Sequence, residues 1–324
     1  MVEDFFSSYA TGGVAQAPSG GERRADTLMR SIAWGCAFLV IGLVVYLVLE
    51  IGGHALPAID QFGLDFITGT TWDTVDDVYG VLPEIWGTLY SSLLALFLGG
   101  IFGVAIAVFI TQGFVNWRIA ATFRVVVELL AAIPSVVFGL WGIYVLIPAL
   151  RPGADWLHAH FGMVPLFNTS LAGPGLAPAV VVLAVMILPT VAAISVDALR
   201  RVPFSIIEGA YAMGTTRAEA VFRVLLPTAS SGILAALVLG FGRALGETMA
   251  LAMLIGNNNQ ISLSLFAPAN TLAARLASSF PEADKIEAQA LMFAALILLA
   301  VTLLVNVVGL GMQQLTMGRF EGKR

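Results

Sequence analysis

The sequence predicts an all-α integral membrane protein with six transmembrane helices. Three observations carry this: hydrophobic residues fill 58% of 324 positions, charged residues fill only 11%, and the apolar residues gather in six membrane-length runs. A soluble domain carries about 25% charged residues, so this chain cannot cover its surface with charge. Its mean hydropathy of +0.90 places it in lipid. The net charge of −5 says little, because the sign of charge in each loop matters more than the sum. Cys36 is the single cysteine, so no disulfide forms within the chain.

A crossing needs about 20 mostly apolar residues. The first expected span covers residues 31–49, the second 85–110 and the third 121–146, which is polar at its start with Arg124 and Glu128. The fourth covers 178–196, the fifth 231–255 and the sixth 288–310. Residues 1–30 are polar, with Arg23, Arg24 and Arg30 just ahead of the first span. They lack the short apolar region and small-residue cleavage site of a secretory signal. The first span is therefore expected to be retained, behind a disordered cytoplasmic tail. Residues 31–324 form one transmembrane domain.

Positive charge sets the orientation. Twelve Lys and Arg residues fall in the N-terminal tail, the second and fourth loops and the C-terminal tail; the other loops hold Arg151, Arg275 and Lys285. That bias puts both termini in the cytoplasm. The first external loop is acidic, with Asp60, Asp65, Asp73, Asp76 and Asp77, and Trp72 and Trp86 fit an aromatic belt.

The cytoplasmic loop from about 197 to 229 encodes folded structure. Ser205-Ile206-Ile207-Glu208 has the pattern of a capping box, which starts a helix by satisfying its free backbone donors. Gly214 suits the left-handed residue that ends one. Thr216-Arg217-Ala218-Glu219 repeats the box, and the second helix stops near Pro227. The loop reads as helix, Gly turn, helix, with Ile206, Ile207, Ala210 and Tyr211 as contact residues for a docking partner. The bland alternative is an amphipathic hairpin lying on lipid.

Glu208-Gly209-Ala210, Gly214 and Val224-x-Leu226-Pro227 keep one spacing: Glu-Ala-Ala, three residues, Gly, nine residues, Ile, any residue, Leu-Pro. With Gly209 for an Ala and Val224 for an Ile, this resembles the loop of binding-protein-dependent ABC importer permeases, the MetI-like family. Further stretches are similar to its phosphate permeases of the PstC type: Phe66-Ile67-Thr68-Gly69-Thr70-Thr71-Trp72, Ala132-Ile133-Pro134-Ser135-Val136-Val137 and Gly242-Arg243-Ala244-Leu245-Gly246-Glu247-Thr248. The resemblance implies a type I importer permease whose loop is the coupling helix, with Glu208, Gly209, Ala210 and Gly214 engaging an ATPase. It also implies a PstA-like second permease chain, two PstB-like ATPase subunits that use ATP-Mg, and a PstS-like external phosphate-binding protein. The setting is the bacterial plasma membrane and its lipid, with no cofactor bound by this chain and no nucleic acid.

Arg243 and Glu247 stand inside the fifth apolar run. A charge at the bilayer centre costs about 2.5 to 3.5 kcal/mol even on lenient scales, whereas an i,i+4 pair returns about 0.2 to 0.5 kcal/mol. Local pairing does not explain them. Two readings stand: a transient anion site, in which Arg243 binds an oxyanion and Glu247 neutralises it between cycles, or a structural ion pair that fixes helix packing. The resemblance implies roles in transport for both positions. Gly242 and Gly246 form a Gly-x3-Gly face for a neighbouring helix. Pro134 and Pro189 break or kink their helices, and Ser135 either offers a hydroxyl to the anion or marks that kink.

An enzyme reading finds no catalytic group. His54, His158 and His160 lie in or near external loops without a third metal ligand, and no P-loop is present, so ATP hydrolysis falls to a partner. Charges within a span also suit an ion-coupled carrier, but a carrier has no need of the double-helical loop. Other tetrahedral oxyanions, such as phosphonate, sulfate or molybdate, remain alternatives to phosphate.

Overall fold

A computed structural model describes residues 20–321. Helix α1 runs Gly20–Phe62, so residues 20–30 are helical where a disordered tail was expected; residues 1–19 lie outside the described residues. The chain divides after Gly53 into two compact units. Within the first, residues 24–50 of α1 are exposed around the whole circumference. A helix that is apolar all round and this long suits a membrane span.

The second unit opens with the end of α1, the single turn α2 (Asp65–Thr68) and a two-stranded antiparallel hairpin, β1 (Trp72–Asp73) and β2 (Val78–Tyr79). Helix α3 (Leu82–Thr111) follows, with Pro83 in its first turn, where a missing N–H costs nothing. Helix α4 (Trp117–Ala132) is capped by the Asn116 side chain.

Two expected spans are broken. The third is not one helix from 121 to 146. Pro134 holds Ile133 extended (φ −71°, ψ 127°), so α4 ends and a new helix begins at Ser135. That helix, of membrane length, is Ser135–Phe161: α5 (Ser135–Trp141), a π turn (Gly142–Leu146) and α6 (Ile147–Phe161). Next comes α7 (Leu176–Arg200). The loop after it holds α8 (Phe204–Ala212), α9 (Arg217–Ala220), a π turn (Val221–Leu225) and the short α10 (Leu226–Thr228). The fifth span is also interrupted: α11 (Ser230–Leu245) stops at Gly246 and the chain restarts as α12 (Met249–Leu254). Helices α13 (Leu272–Ser279) and α14 (Lys285–Glu321) complete the fold.

Among the described residues five helices are long and apolar enough to cross a membrane; a sixth crossing counts only if Arg217–Thr228 and Ser230–Leu245, which meet at 71°, are one broken span. Helix α7 is the centre of the bundle. Fifteen of its residues are buried, and it packs against both α3 and α11. Close approach to α3 requires Gly103, because a Cβ there would sit 2.9 Å from Val191.

Non-helical backbone within a membrane protein must find its hydrogen bonds inside the protein. The segment after α12 does so. Ala269 N donates to Ile255 O (2.9 Å), Leu176 N to Ala267 O (3.0 Å) and Leu265 N to Leu166 O (2.9 Å). At the hairpin end, Phe66 stacks on Phe293 with centroids 4.5 Å apart, and Tyr79 is buried edge-on to Trp72. Burial lifts the Tyr79 phenol above its usual range, and Asp284 and Asp77 add to the effect.

Candidate functional site

Arg243 lies in the last turn of α11, and Glu247 lies within the break that precedes α12. Because α11 ends at Leu245, the two side chains do not share a helix face. Among the described residues no ion pair joins them. Arg243 Nη1 donates instead to Thr190 Oγ1 on α7 at 3.0 Å. Thr190 follows Pro189, whose missing N–H frees a carbonyl in the middle of α7.

Glu247 Oε1 accepts from Ala250 N at 3.3 Å. A carboxylate in this position caps the first turn of α12 and complements the partial positive charge of a helix start. The expected continuous helix breaks at Gly246, a weak helix former, and Glu247 accepts from the first turn of the new helix. Of the expected Gly-x3-Gly face, Gly242 does meet a neighbour, with Asn306 Oδ1 of α14 3.5 Å from an added Cβ; Gly246 meets only carbonyls of its own turn.

Ser135 is the first residue of α5 and is half-buried. Helices α5 and α12 pack in parallel, Gly139 against Ala250 and Met253, Gly142 against Leu254. Ser135 and Glu247 therefore stand at the same end of that pair. No hydrogen bond links Arg243, Glu247 and Ser135 to one another among the described residues.

The loop between α7 and α11 takes the expected helix-turn-helix form with two corrections. The first box does not form: α8 starts at Phe204 behind Pro203, and Ser205 makes no capping bond. Proline at the boundary fixes the chain direction and leaves the serine two residues past the cap position. The second box is complete, with Thr216 Oγ1 accepting from Glu219 N (3.3 Å) and Glu219 Oε2 accepting from Thr216 N (3.0 Å).

Gly214 at φ +82° ends α8 as expected. Its N–H donates to Tyr211 O, and Thr215 N donates to Ala210 O, the bonding of a Schellman turn. The second correction concerns the docking face. Ala210 is buried at 2% exposure, and Ile207 packs on the cluster of Val196, Leu199, Val221 and Leu225. Ala210 is thus enclosed and Ile207 half-buried. The exposed face carries Phe204, Ile206, Glu208, Gly209, Tyr211 and Met213.

A buried ionic network at the hairpin end was not anticipated. Arg275 Nε and Nη2 both donate to Glu84 Oε1, at 3.1 and 2.9 Å, and Arg275 also bonds Asn259 Oδ1. Its guanidinium lies over the Trp72 ring, 5.0 Å from the centroid. The indole Nε1 donates to Glu287 Oε1 at 3.1 Å. Glu84 is wholly buried. One arginine thus joins α3, the hairpin, α13 and the segment after α12. The signal in the sequence was a lone Arg in an acidic neighbourhood, and nothing in the spacing named its partner. Among the described residues no three or more His, Cys, Asp or Glu side chains gather as metal ligands.

Residues 99–320 match the family described as "Binding-protein-dependent transport system inner membrane component". The "Phosphate transport system permease protein PstC" of Xylella fastidiosa is 34% identical over 306 residues, covering 93% of this chain and 94% of the relative. That of Mesorhizobium japonicum is 36% identical over 286 residues, covering 86% and 87%. PstC 2 of Mycobacterium tuberculosis is 38% identical over 293 residues, covering 88% and 90%. Among solved structures, a bacterial alginate ABC transporter in complex with an alginate-bound periplasmic protein superposes with TM-score 0.58 at 15% identity, over 95% of this chain and 94% of that one. The MetNI methionine ABC transporter superposes with TM-score 0.54 at 21% identity, over 73% and 95%. These two likenesses establish the fold.

Proposed function

Because the chain belongs to the binding-protein-dependent transport system inner membrane components, and within them to the phosphate permeases PstC, we propose that it forms half of the pathway by which an ATP-driven importer moves inorganic phosphate. The observation that carries the site is Arg243. It is an exposed permanent cation in the last turn of α11 whose one side-chain partner among the described residues, the Thr190 hydroxyl, is neutral. Its charge stays uncancelled, and its planar donors fit two oxygens of a phosphate.

In this reading Arg243 captures the anion, and Glu247 supplies the competing negative charge that prevents tight retention. Ser135 offers a hydroxyl from the helix packed beside α12. The exposed face of α8, with Glu208 and Gly209 among its apolar neighbours, docks in a cleft of a PstB-like ATPase; Gly214 and the buried Ala210 hold that face in place. Two such ATPase subunits bind ATP-Mg, and this chain contributes no catalytic residue. A PstA-like permease supplies the other half of the pathway, and a PstS-like protein delivers phosphate at the hairpin end. The α8 end and both termini then lie in the cytoplasm, as the excess of basic residues there favours. ATP binding draws the ATPase subunits together, moves α8 and opens the bundle outward; hydrolysis lets the anion leave inward.

The test is ATP-dependent uptake of radiolabelled phosphate by the full complex, wild type against Arg243→Ala, at equal amounts of assembled complex. Loss of uptake in the variant supports substrate and site together. Unchanged uptake in the variant removes Arg243 from the pathway, and wild type that carries sulfate or molybdate but no phosphate removes the substrate.

A further inference from the structure

Helix α7 is the most enclosed helix of the bundle, yet one stripe of it is open. Its only exposed residues are Ala193, Asp197 and Arg200, with half-buried Thr190 in line above them. The spacing i, i+3, i+7, i+10 keeps all four within one face of a helix. A stripe facing lipid would be apolar; this one carries a hydroxyl, a methyl, a carboxylate and a guanidinium. It starts at the residue that holds Arg243 and ends about 15 Å away, ten residues along the helix.

Two clefts follow the stripe. One, of about 110 Å³, is lined by Ala193 and Asp197 of α7 and by Arg124, Val127 and Glu128 of α4. The next, of about 350 Å³, is lined by Arg124 again, by Arg200 and by Trp117 and Gly113. Arg124 stands between them and bonds Glu128 through Nε at 3.0 Å. That pair is well exposed, at 55% and 64% of the side chains. An exposed i,i+4 pair contributes at most a few tenths of a kcal/mol, so local stability is a weak reason for it. Arg200 and the Asp197 carboxylate have no side-chain partner among the described residues.

We propose that Arg124 and Arg200 form a second station for the transported oxyanion, on the coupling-loop side of Arg243, with Glu128 as the competitor that frees the anion from Arg124. The proposal rests on the phosphate-transport reading above and adds to it where the anion goes after Arg243. An anion arriving along α7 displaces Glu128 from Arg124, passes to Arg200 and leaves as Glu128 returns to its partner. Asp197, which lines the first cleft with Arg124, keeps the station from becoming a trap.

The experiment uses right-side-out membrane vesicles carrying the full complex and loaded with ATP, with rates normalised to assembled complex. Labelled phosphate uptake is measured with and without unlabelled phosphate inside. Arg124→Gln and Arg200→Gln each lower the maximal rate about fivefold or more while the external phosphate needed for half-saturation stays within about twofold. Arg124→Lys and Arg200→Lys retain most of the rate. Glu128→Gln makes internal phosphate a stronger inhibitor, an effect that a merely structural pair does not produce. A wild-type maximal rate in the Arg124→Gln/Arg200→Gln double variant overturns the station and leaves the Arg243 reading standing. Where those variants fail to assemble, unchanged internal inhibition in Glu128→Gln overturns it instead. Wild-type vesicles that take up no phosphate sink the transport reading, and the station with it.

Discussion

Arg243 Nη1 donates to the hydroxyl of Thr190 at 3.0 Å, across the packed pair α11 and α7. The bond orients the guanidinium without neutralising it. Thr190→Val keeps the shape of the side chain and removes the acceptor. The expected result is a several-fold fall in phosphate uptake, on the scale of about 1 kcal/mol for one hydrogen bond, with assembly unchanged. Arg243→Lys is expected to fall further, because an ammonium lacks the planar fork that grips two oxygens at once. Uptake assays on both variants check the order; a Lys variant at wild-type rate would mean that charge alone suffices.

Glu84 and Arg275 make a different kind of pair. Glu84 is fully buried, and removing one partner of a buried pair leaves the other charge uncompensated, at a cost of about 3–5 kcal/mol. Arg275→Met is expected to lower the thermal stability of the complex sharply, because it strands the wholly buried Glu84 carboxylate, and Glu84→Ala by less, because Arg275 keeps Asn259 and the Trp72 ring. Thermal unfolding of purified complexes measures the difference. A Glu84→Ala variant that melts with wild type would show that Arg275 simply swings to water.

The membrane class, the loop helices and the two candidate charges were legible in the sequence because each follows from a local rule. Apolar run length marks spans, Gly214 marks a left-handed turn, and Thr216 with Glu219 marks a cap. Failures came where a local signal met a stronger neighbour. Ser205 lost its cap to Pro203, and the fifth run looked continuous because hydropathy cannot see the break at Gly246. The Glu84–Arg275 bond joins residues 191 apart in sequence, and no periodicity encodes such a separation.

The loop offers a stability test independent of transport. Gly214 sits at φ +82°, where a Cβ costs about 1–2 kcal/mol. Gly214→Ala should loosen the turn and misdirect the exposed face of α8. Amide exchange across residues 204–225 should rise, and co-purification of the ATPase should fall, while membrane insertion persists. Thr216→Ala, losing a cap worth about 1 kcal/mol, should raise exchange mainly in residues 217–220. Equal exchange in wild type and Gly214→Ala would show that the turn tolerates the side chain.

Glu247 combines a structural task with a proposed charge, and one substitution separates them. The carboxylate caps α12 through Ala250 N at 3.3 Å. In Glu247→Gln the side-chain carbonyl still accepts that N–H, so the helix start survives and only the negative charge is lost. Glu247→Ala loses both. If the charge helps release phosphate from Arg243, Gln lowers the maximal uptake rate while half-saturation by external phosphate holds or improves, because an interaction opposing retention has gone. Ala adds a loss of stability of about 0.5–2 kcal/mol from the missing cap, visible in thermal unfolding of the complex but absent in Gln. Uptake kinetics and melting curves for the two variants together decide the matter. A Gln variant with wild-type uptake assigns Glu247 to the cap alone, and Arg243 then releases its anion without help from that carboxylate.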